Sequence, residues 1–249
     1  MEWTDEAIIL GLRPHGESGG ILEVFTRRHG RWRAHVRGAA SRRLRPLLQP
    51  GRLVQATWRA RLTEQLGHMR VEPLDAGPAH LLADPLSLSG LVLLCFDLHL
   101  AEEREALPAL HDAARVVLAH LHDPATFPAL LARLELRLLA DLGFGLDLAA
   151  CAAGGEGPLV WVSPKSGRAV SASAGRPWAD RLLPLPAFLR DAAAPPPDAA
   201  AMADALVLTG HFLHRHVLLP RRLVMPPQRE RLLRALRETA APDAAGSAP

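Results

Sequence analysis

The sequence contains no tyrosine, a single lysine (Lys165) and two cysteines, Cys95 and Cys151, in 249 residues. Two cysteines cannot build a disulfide framework, and such sparse usage fits a reducing cytoplasm. The longest apolar stretch, Leu86 to Phe96, is too short and too interrupted to span a bilayer. The opening MEWTDE is acidic and lacks the basic and apolar regions of a signal peptide. Together these absences predict a soluble intracellular protein without a membrane partner. No G-x-x-x-x-G-K-[ST] motif occurs, which argues against an ATP-driven motor.

The most informative absence is local. From Val24 to Thr63 the chain carries eleven arginines and no acidic residue, with Glu23 and Glu64 the first carboxylates on either side. Residues 1–80 hold 13 arginines against 8 acidic residues, a net +5, while 81–249 hold 16 Arg/Lys against 18, a net −2. The overall +3 therefore conceals a basic front and a near-neutral back. A cationic stretch of that length repels itself, so a partner is expected to supply negative charge. Nucleic acid is the commonest such partner, because each phosphate is a fixed anion and binding releases counterions. The competing explanation is an arginine-biased genome, but bias alone does not keep acids out of forty residues.

Apolar residues make up 49% of the chain, enough for one good core or two smaller ones. Five short runs in the first 80 residues read as strands bounded by Gly and Pro: Ala7–Leu12, Ile21–Thr26, Arg31–Val36, Leu53–Leu62 and Met69–Val71. Their number and spacing predict a small barrel or sandwich. After Pro78 the period becomes helical. Asp84-Pro85 is a helix start, leading into a run that is apolar nearly all round. Helices are expected at Leu107–His122, Phe127–Leu142, Ala201–Leu219 and Gln228–Thr239, and a hairpin at Leu159–Val162 and Arg168–Ser171. The expected fold is α+β. A five-stranded OB-type barrel over 1–80 precedes a helical domain over 81–239, with a hairpin insertion at about 146–175 and a disordered tail over 240–249.

Alternation places Arg31, Arg33, His35 and Arg37 on one face of their strand and Trp32, Ala34 and Val36 on the other. In the next strand Arg59 and Arg61 share a face with Gln55 and Thr57, while Val54, Ala56, Trp58 and Leu62 point inward. Between them Ser41-Arg42-Arg43-Leu44-Arg45-Pro46 reads as a mobile loop able to close over a backbone. With Arg27 and Arg28 these arginines form the candidate nucleic-acid surface. Trp32 and Trp58 fall on the inner face as core, so binding should be mainly electrostatic and independent of sequence. No catalytic, cofactor or metal residues are expected. The basic face offers no carboxylates for a nuclease metal, and Glu102, Glu103 and Glu105 read as a solvated turn. Cys151 reads as a small buried hydrophobe, and His211, His214 and His216 as ordinary histidines beside Arg215.

The runs MEWTDEAIILGLRPHGES, EVFTRRHGR, VRGAASRR and LLQPG resemble the N-terminal domain of the RecO family of bacterial DNA-repair proteins. RLELRLLADLGFGLDLAACAAGG and WVSPKSGRAVS are similar to that family's helical domain and inserted hairpin. The resemblance covers residues 1 to about 235 and implies a cytoplasmic, nucleoid-associated recombination mediator of the RecFOR pathway. Such a protein binds DNA, anneals complementary strands and helps load recombinase onto coated single strands. Its implied partners are DNA, RecR and the acidic C-terminal tail of the single-strand-binding protein. Some family members carry two C-x-x-C pairs for zinc; here Cys151 stands alone, so a zinc-less insertion is expected. In RLEL the resemblance puts Arg133 near the tail's docking region. Arg137, one turn on, shares its stripe beside Leu130 and Leu134. The alternatives are an RNA-binding or ribosome-associated OB-fold protein, since charge does not separate DNA from RNA, and a scaffold for an acidic protein.

Overall fold

A computed structural model describes residues 1–191 and 193–241. The chain forms two compact units, Met1–His122 and a second that begins at Asp123. The first takes in more than the barrel, because two helices pack on its outside.

Five strands, β1 (Glu2–His15), β2 (Gly19–Thr26), β3 (Gly30–Val36), β4 (Leu53–Arg59) and β5 (His68–Pro73), close in the order β1-β2-β3-β5-β4. All pairings are antiparallel except β3 with β5, which meet in parallel at His35 and His68. The alternation of the sequence becomes the two faces of the wall. Trp32, Ala34 and Val36 of β3 and Val54, Ala56 and Trp58 of β4 fill the interior with Ala7, Ile9, Leu22, Val24 and Met69. Trp3 joins them, its ring 5.3 Å from Trp32, which lies 5.0 Å from Trp58. The Trp58 indole donates to the Leu66 carbonyl at 3.0 Å, so this buried ring is satisfied.

Part of the barrel's outer wall is apolar too. Ile8, Leu10 and Phe25 alternate with the interior set and are buried, beneath α1 (Pro85–Leu100) and α2 (Pro108–His120). Asp84 caps α1, accepting from the Ser87 amide at 2.6 Å. Because α1 is enclosed on several sides, its sequence is apolar nearly all round.

In the second unit, α3 (Phe127–Asp141) packs on α5 (Ala199–Leu213), which also meets α7 (Gln228–Ala240). The three are tied by a buried pair: Arg229 donates to both oxygens of Glu135 at 2.6 and 2.9 Å, and Thr209 donates to the same carboxylate. Stranding either charge of such a pair costs about 3–5 kcal/mol. Gly143, at φ 84°, ends the last turn of α3 in a conformation that favours glycine.

The expected hairpin is present as β6 (Leu159–Val162) and β7 (Ala169–Ser171), followed by the one-turn α4 (Ala172–Gly175). A short third strand, β8 (Leu183–Pro184), adds to its free edge and was not anticipated. The expected long segment Ala201–Leu219 passes from α5 into a π-helical turn at His214–Leu218, then α6 (Leu219–Arg221). Of the expected tail, Ala240 belongs to α7 and 242–249 lie outside the described residues. No helix among the described residues is long and apolar enough to cross a membrane.

Candidate nucleic-acid interface

The acid-free stretch folds into β3, β4 and the segment between them, yet half of its arginines meet carboxylates from elsewhere. Arg27 forms a bidentate pair with Asp112 at 2.9 Å. Arg28 meets Asp5 at 3.1 Å and donates to the Thr4 carbonyl. Arg31 meets Glu23 at 2.6 Å and the Ala101 carbonyl at 2.9 Å. Arg33 meets Glu103 at 2.6 Å, and Arg59 meets Glu2 at 2.6 Å.

These pairs differ in kind. Arg31 is 20% exposed and Glu23 9%, so the pair belongs to the wall rather than to a free face. Burial would raise the Glu23 carboxyl, but His99 and Arg31 outweigh it and hold it at about 2. Asp5 shows the same contest: burial raises it, and the bonds from Arg28 and His29 win and bring it below its ordinary value. Arg27, Arg33 and Arg59 are about half or more exposed, and exposed pairs of this sort are weak enough for a phosphate to displace the carboxylate.

Two expectations from the sequence are corrected here. The basic face is not free of carboxylates, and Glu103 does not sit in a solvated turn. The segment after α1 latches onto β3: Glu103 bridges Arg31, and the Arg104 amide donates to the Arg31 carbonyl at 2.9 Å. Arg104 adopts φ 67°, lays its guanidinium 4.6 Å from the Trp32 ring and donates to the Thr63 carbonyl. Gly30, at φ 66°, is required beneath it, since a Cβ there would strike the Glu105 backbone.

Among the described residues, Arg37, Arg42, Arg43, Arg45 and Arg61 have exposed side chains without a carboxylate partner. Four of them sit on the segment between β3 and β4. That segment is anchored rather than loose, which corrects the expected mobile loop. Leu48 and Ala39 are buried in the barrel core with Leu44 against it, the Ser41 hydroxyl accepts from the Leu44 amide, and Arg52 donates to the Pro46 carbonyl. Arg61 lies beyond the end of β4 at Arg59, so it does not continue that strand's alternation. For the same reason Leu62 is 55% exposed instead of pointing inward.

The anchored segment and the β4–β5 wall enclose a groove of about 690 Å³, lined by Arg37, Arg43, Arg59, Arg70, His35 and His68 among others. Sequence reasoning missed Arg70 and His68. The antiparallel register sets Arg70 opposite Thr57 and His68 opposite Arg59, so both share the outer face already assigned to β4. The alternation in HMRVEP was the available signal. Val36, Leu44, Leu47 and Met69 line the groove beside these cations, and Trp32 and Trp58, 4% and 1% exposed, offer it no indole to stack on bases.

The partner-site candidates are on α3, in the second unit. Arg133 donates through Nε and Nη2 to the Phe188 carbonyl at 3.1 and 2.7 Å, 5.6 Å from that residue's ring. Arg137 pairs with Asp141 at 2.8 Å. Leu130 is half-buried, whereas Leu134 is buried and adds nothing to a surface notch.

Cys151 is also corrected: it is half-buried, accepts from the Ser171 amide at 3.3 Å and donates to its hydroxyl at 3.5 Å. The Ser171 side chain and amide bring its thiol down to about 7. Among the described residues no three His, Cys, Asp or Glu side chains are placed to hold a metal ion.

Residues 1–76 match the family description "Recombination protein O N terminal", and residues 89–223 match "Recombination protein O C terminal". The chain belongs to the RecO family. Its barrel is accordingly an OB-fold, and the α+β reading holds. Similar proteins named "DNA repair protein RecO" include one from Methylorubrum extorquens, 51% identical over 94% of this chain and 97% of its own length. Another, from Methylobacterium nodulans, is 52% identical over 92% and 96%. A third, from Mesorhizobium japonicum, is 48% identical over 96% and 94%.

Proposed function

We propose that this RecO-family chain is a non-enzymatic recombination mediator in DNA repair. It binds single- and double-stranded DNA through the phosphate backbone, anneals complementary strands and assists recombinase loading on strands coated by the single-strand-binding protein. The observation that carries this reading is the set of unpaired arginines at Arg37–Arg45 beside a groove floored by Arg59 and Arg70. The four from Arg37 to Arg45 are exposed cations on an anchored segment, without a carboxylate partner among the described residues. The exposed pair at Arg59, which lines the groove, opens once a phosphate arrives, and the exposed pair at Arg33 on β3 is equally displaceable. Arg27, paired with Asp112 of α2, and Arg28 and Arg61 lie outside the groove lining. Such a surface promotes annealing without bond chemistry, because neutralising phosphates lets two strands approach.

On this reading residues 1–80 carry the DNA, the helical domain receives the acidic tail of the single-strand-binding protein, and RecR is a further partner. Arg133 suits the tail. Its guanidinium is held in place by the Phe188 carbonyl, and Nη1 makes no described hydrogen bond, leaving it open to a carboxylate. Annealing of naked and of coated complementary strands is the test, with RNA of the same sequence as a control. Arg133→Glu should abolish tail-peptide binding and annealing of coated strands while naked-DNA binding stays near normal. Parallel loss of naked-DNA binding, or an unaffected peptide, would place the tail elsewhere.

A further inference from the structure

The seam where β3 meets β5 gathers three imidazoles that the basic-groove reading does not use. His35 and His68 are partners in the parallel pairing that closes the barrel, with ring centroids 5.4 Å apart. His15, at the end of β1, stands edge-on to His35 at 5.9 Å. His35 and His68 line the same groove as Arg37, Arg43 and Arg70.

The surroundings of His35 are cationic or neutral on every side. β1 faces it with His15, β5 with His68, and its own strand runs on into Arg37. β2 opposes it with Ile21 and Gly19, and Gly19 lies so close that a Cβ there would clash with the imidazole. The His35 amide donates to the Gly67 carbonyl, but its ring Nδ1 is buried without a hydrogen-bond partner among the described residues. Glu72, the carboxylate that lines this groove, lies four residues along β5 from His68, roughly 13 Å at strand spacing.

A buried ring nitrogen without a partner among the described residues, beside two further imidazoles and three arginines, sits in a field that favours an anion. Burial first, then His68, His15 and Arg37, hold the His35 imidazole below its ordinary proton affinity, so it is neutral in the free protein near pH 7. A phosphodiester in the groove reverses the sign of that field. We propose that His15, His35 and His68 form a proton-coupled phosphate site, at which a nucleic-acid phosphate seated in the groove draws a proton onto the imidazole cluster. The inference rests on the groove being the DNA site. The arginines supply a grip that does not vary with pH, and the cluster supplies one that strengthens as pH falls through the imidazole range.

The test is binding of a fluorescent oligothymidylate to the full chain at fixed ionic strength, in EDTA-containing buffers between about pH 8 and pH 6. One proton taken up per site predicts up to ~10-fold tighter binding per pH unit. Calorimetry at about pH 7 in two buffers of different ionisation heat should report that uptake directly. His35→Gln and His68→Gln should each lose most of the acid-side gain, read as a flattened dependence of log K on pH whatever their affinity at the alkaline end. His68, on an exposed ring, keeps the test open should the His35 variant not fold. No proton uptake by the parent, or the full gain retained in both variants, overturns the proposal. Arg37→Ala/Arg43→Ala at the alkaline end tests the groove separately: undiminished binding there refutes the groove itself rather than its coupling to protons.

Discussion

Replacing Arg37, Arg42, Arg43 and Arg45 together by alanine separates arginines that serve a ligand from arginines that serve the fold. Each of the four is exposed and without a carboxylate partner among the described residues. If each neutralises one phosphate of a single strand, the slope of log K against log salt falls by about 0.7 apiece, or about 2.8 in all. At 0.1 M salt that corresponds to a loss on the order of 10³-fold in affinity. Stability should barely move, because no side-chain bond to the body of the barrel is lost. Arg31→Ala is the contrasting perturbation. Arg31 pairs with the nearly buried Glu23, so its removal should cost on the order of 3 kcal/mol of folding free energy and leave the salt slope almost unchanged. Anisotropy titrations over about 50–400 mM salt, with a urea melt of each variant, deliver both numbers. An unchanged slope in the fourfold variant, or an equal change from Arg31→Ala, would refute the division of the arginines.

Two further outcomes follow from shifted protonation. The Glu23 carboxyl, held at about 2 against about 4.5 when unfolded, contributes stability that is fully present above pH 4.5 and drains away as pH falls toward 2. The amount is on the order of 3 kcal/mol, and Glu23→Gln should flatten this limb of the urea-denaturation profile; an unaltered profile would contradict the assignment. Cys151, at about 7, should alkylate with iodoacetamide at neutral pH, whereas Cys95, buried and pushed up to about 12, should not react until the protein unfolds. Equal rates by mass spectrometry would contradict that ordering.

Most of the barrel was legible because its strands are half-buried, so polarity alternates with the wall. Trp32 and Trp58 were placed inside by that rule alone. It failed beyond Arg59, where the strand stops while the pattern LVQATWRARL continues. The strand β8 left no trace, since Leu183-Pro184 is too short to show a period. The pairing of the arginines was invisible for a different reason. Glu103 lies 70 residues from Arg33, and Asp112 lies 85 from Arg27, distances over which local charge counts carry no information. Local counting therefore overstated the unmet positive charge, and the fold reduced it to the segment that faces the groove and to Arg61 beyond β4. The histidine seam is likewise a product of closure, drawing one ring each from β1, β3 and β5.

The most direct test of the central claim is photo-crosslinking of a single-stranded oligonucleotide to the intact chain, with the attached peptides identified by mass spectrometry. The account predicts that crosslinks concentrate in residues 33–49 and 68–72, with fewer in the body of the barrel wall. Crosslinks confined to residues beyond Asp123 would contradict it.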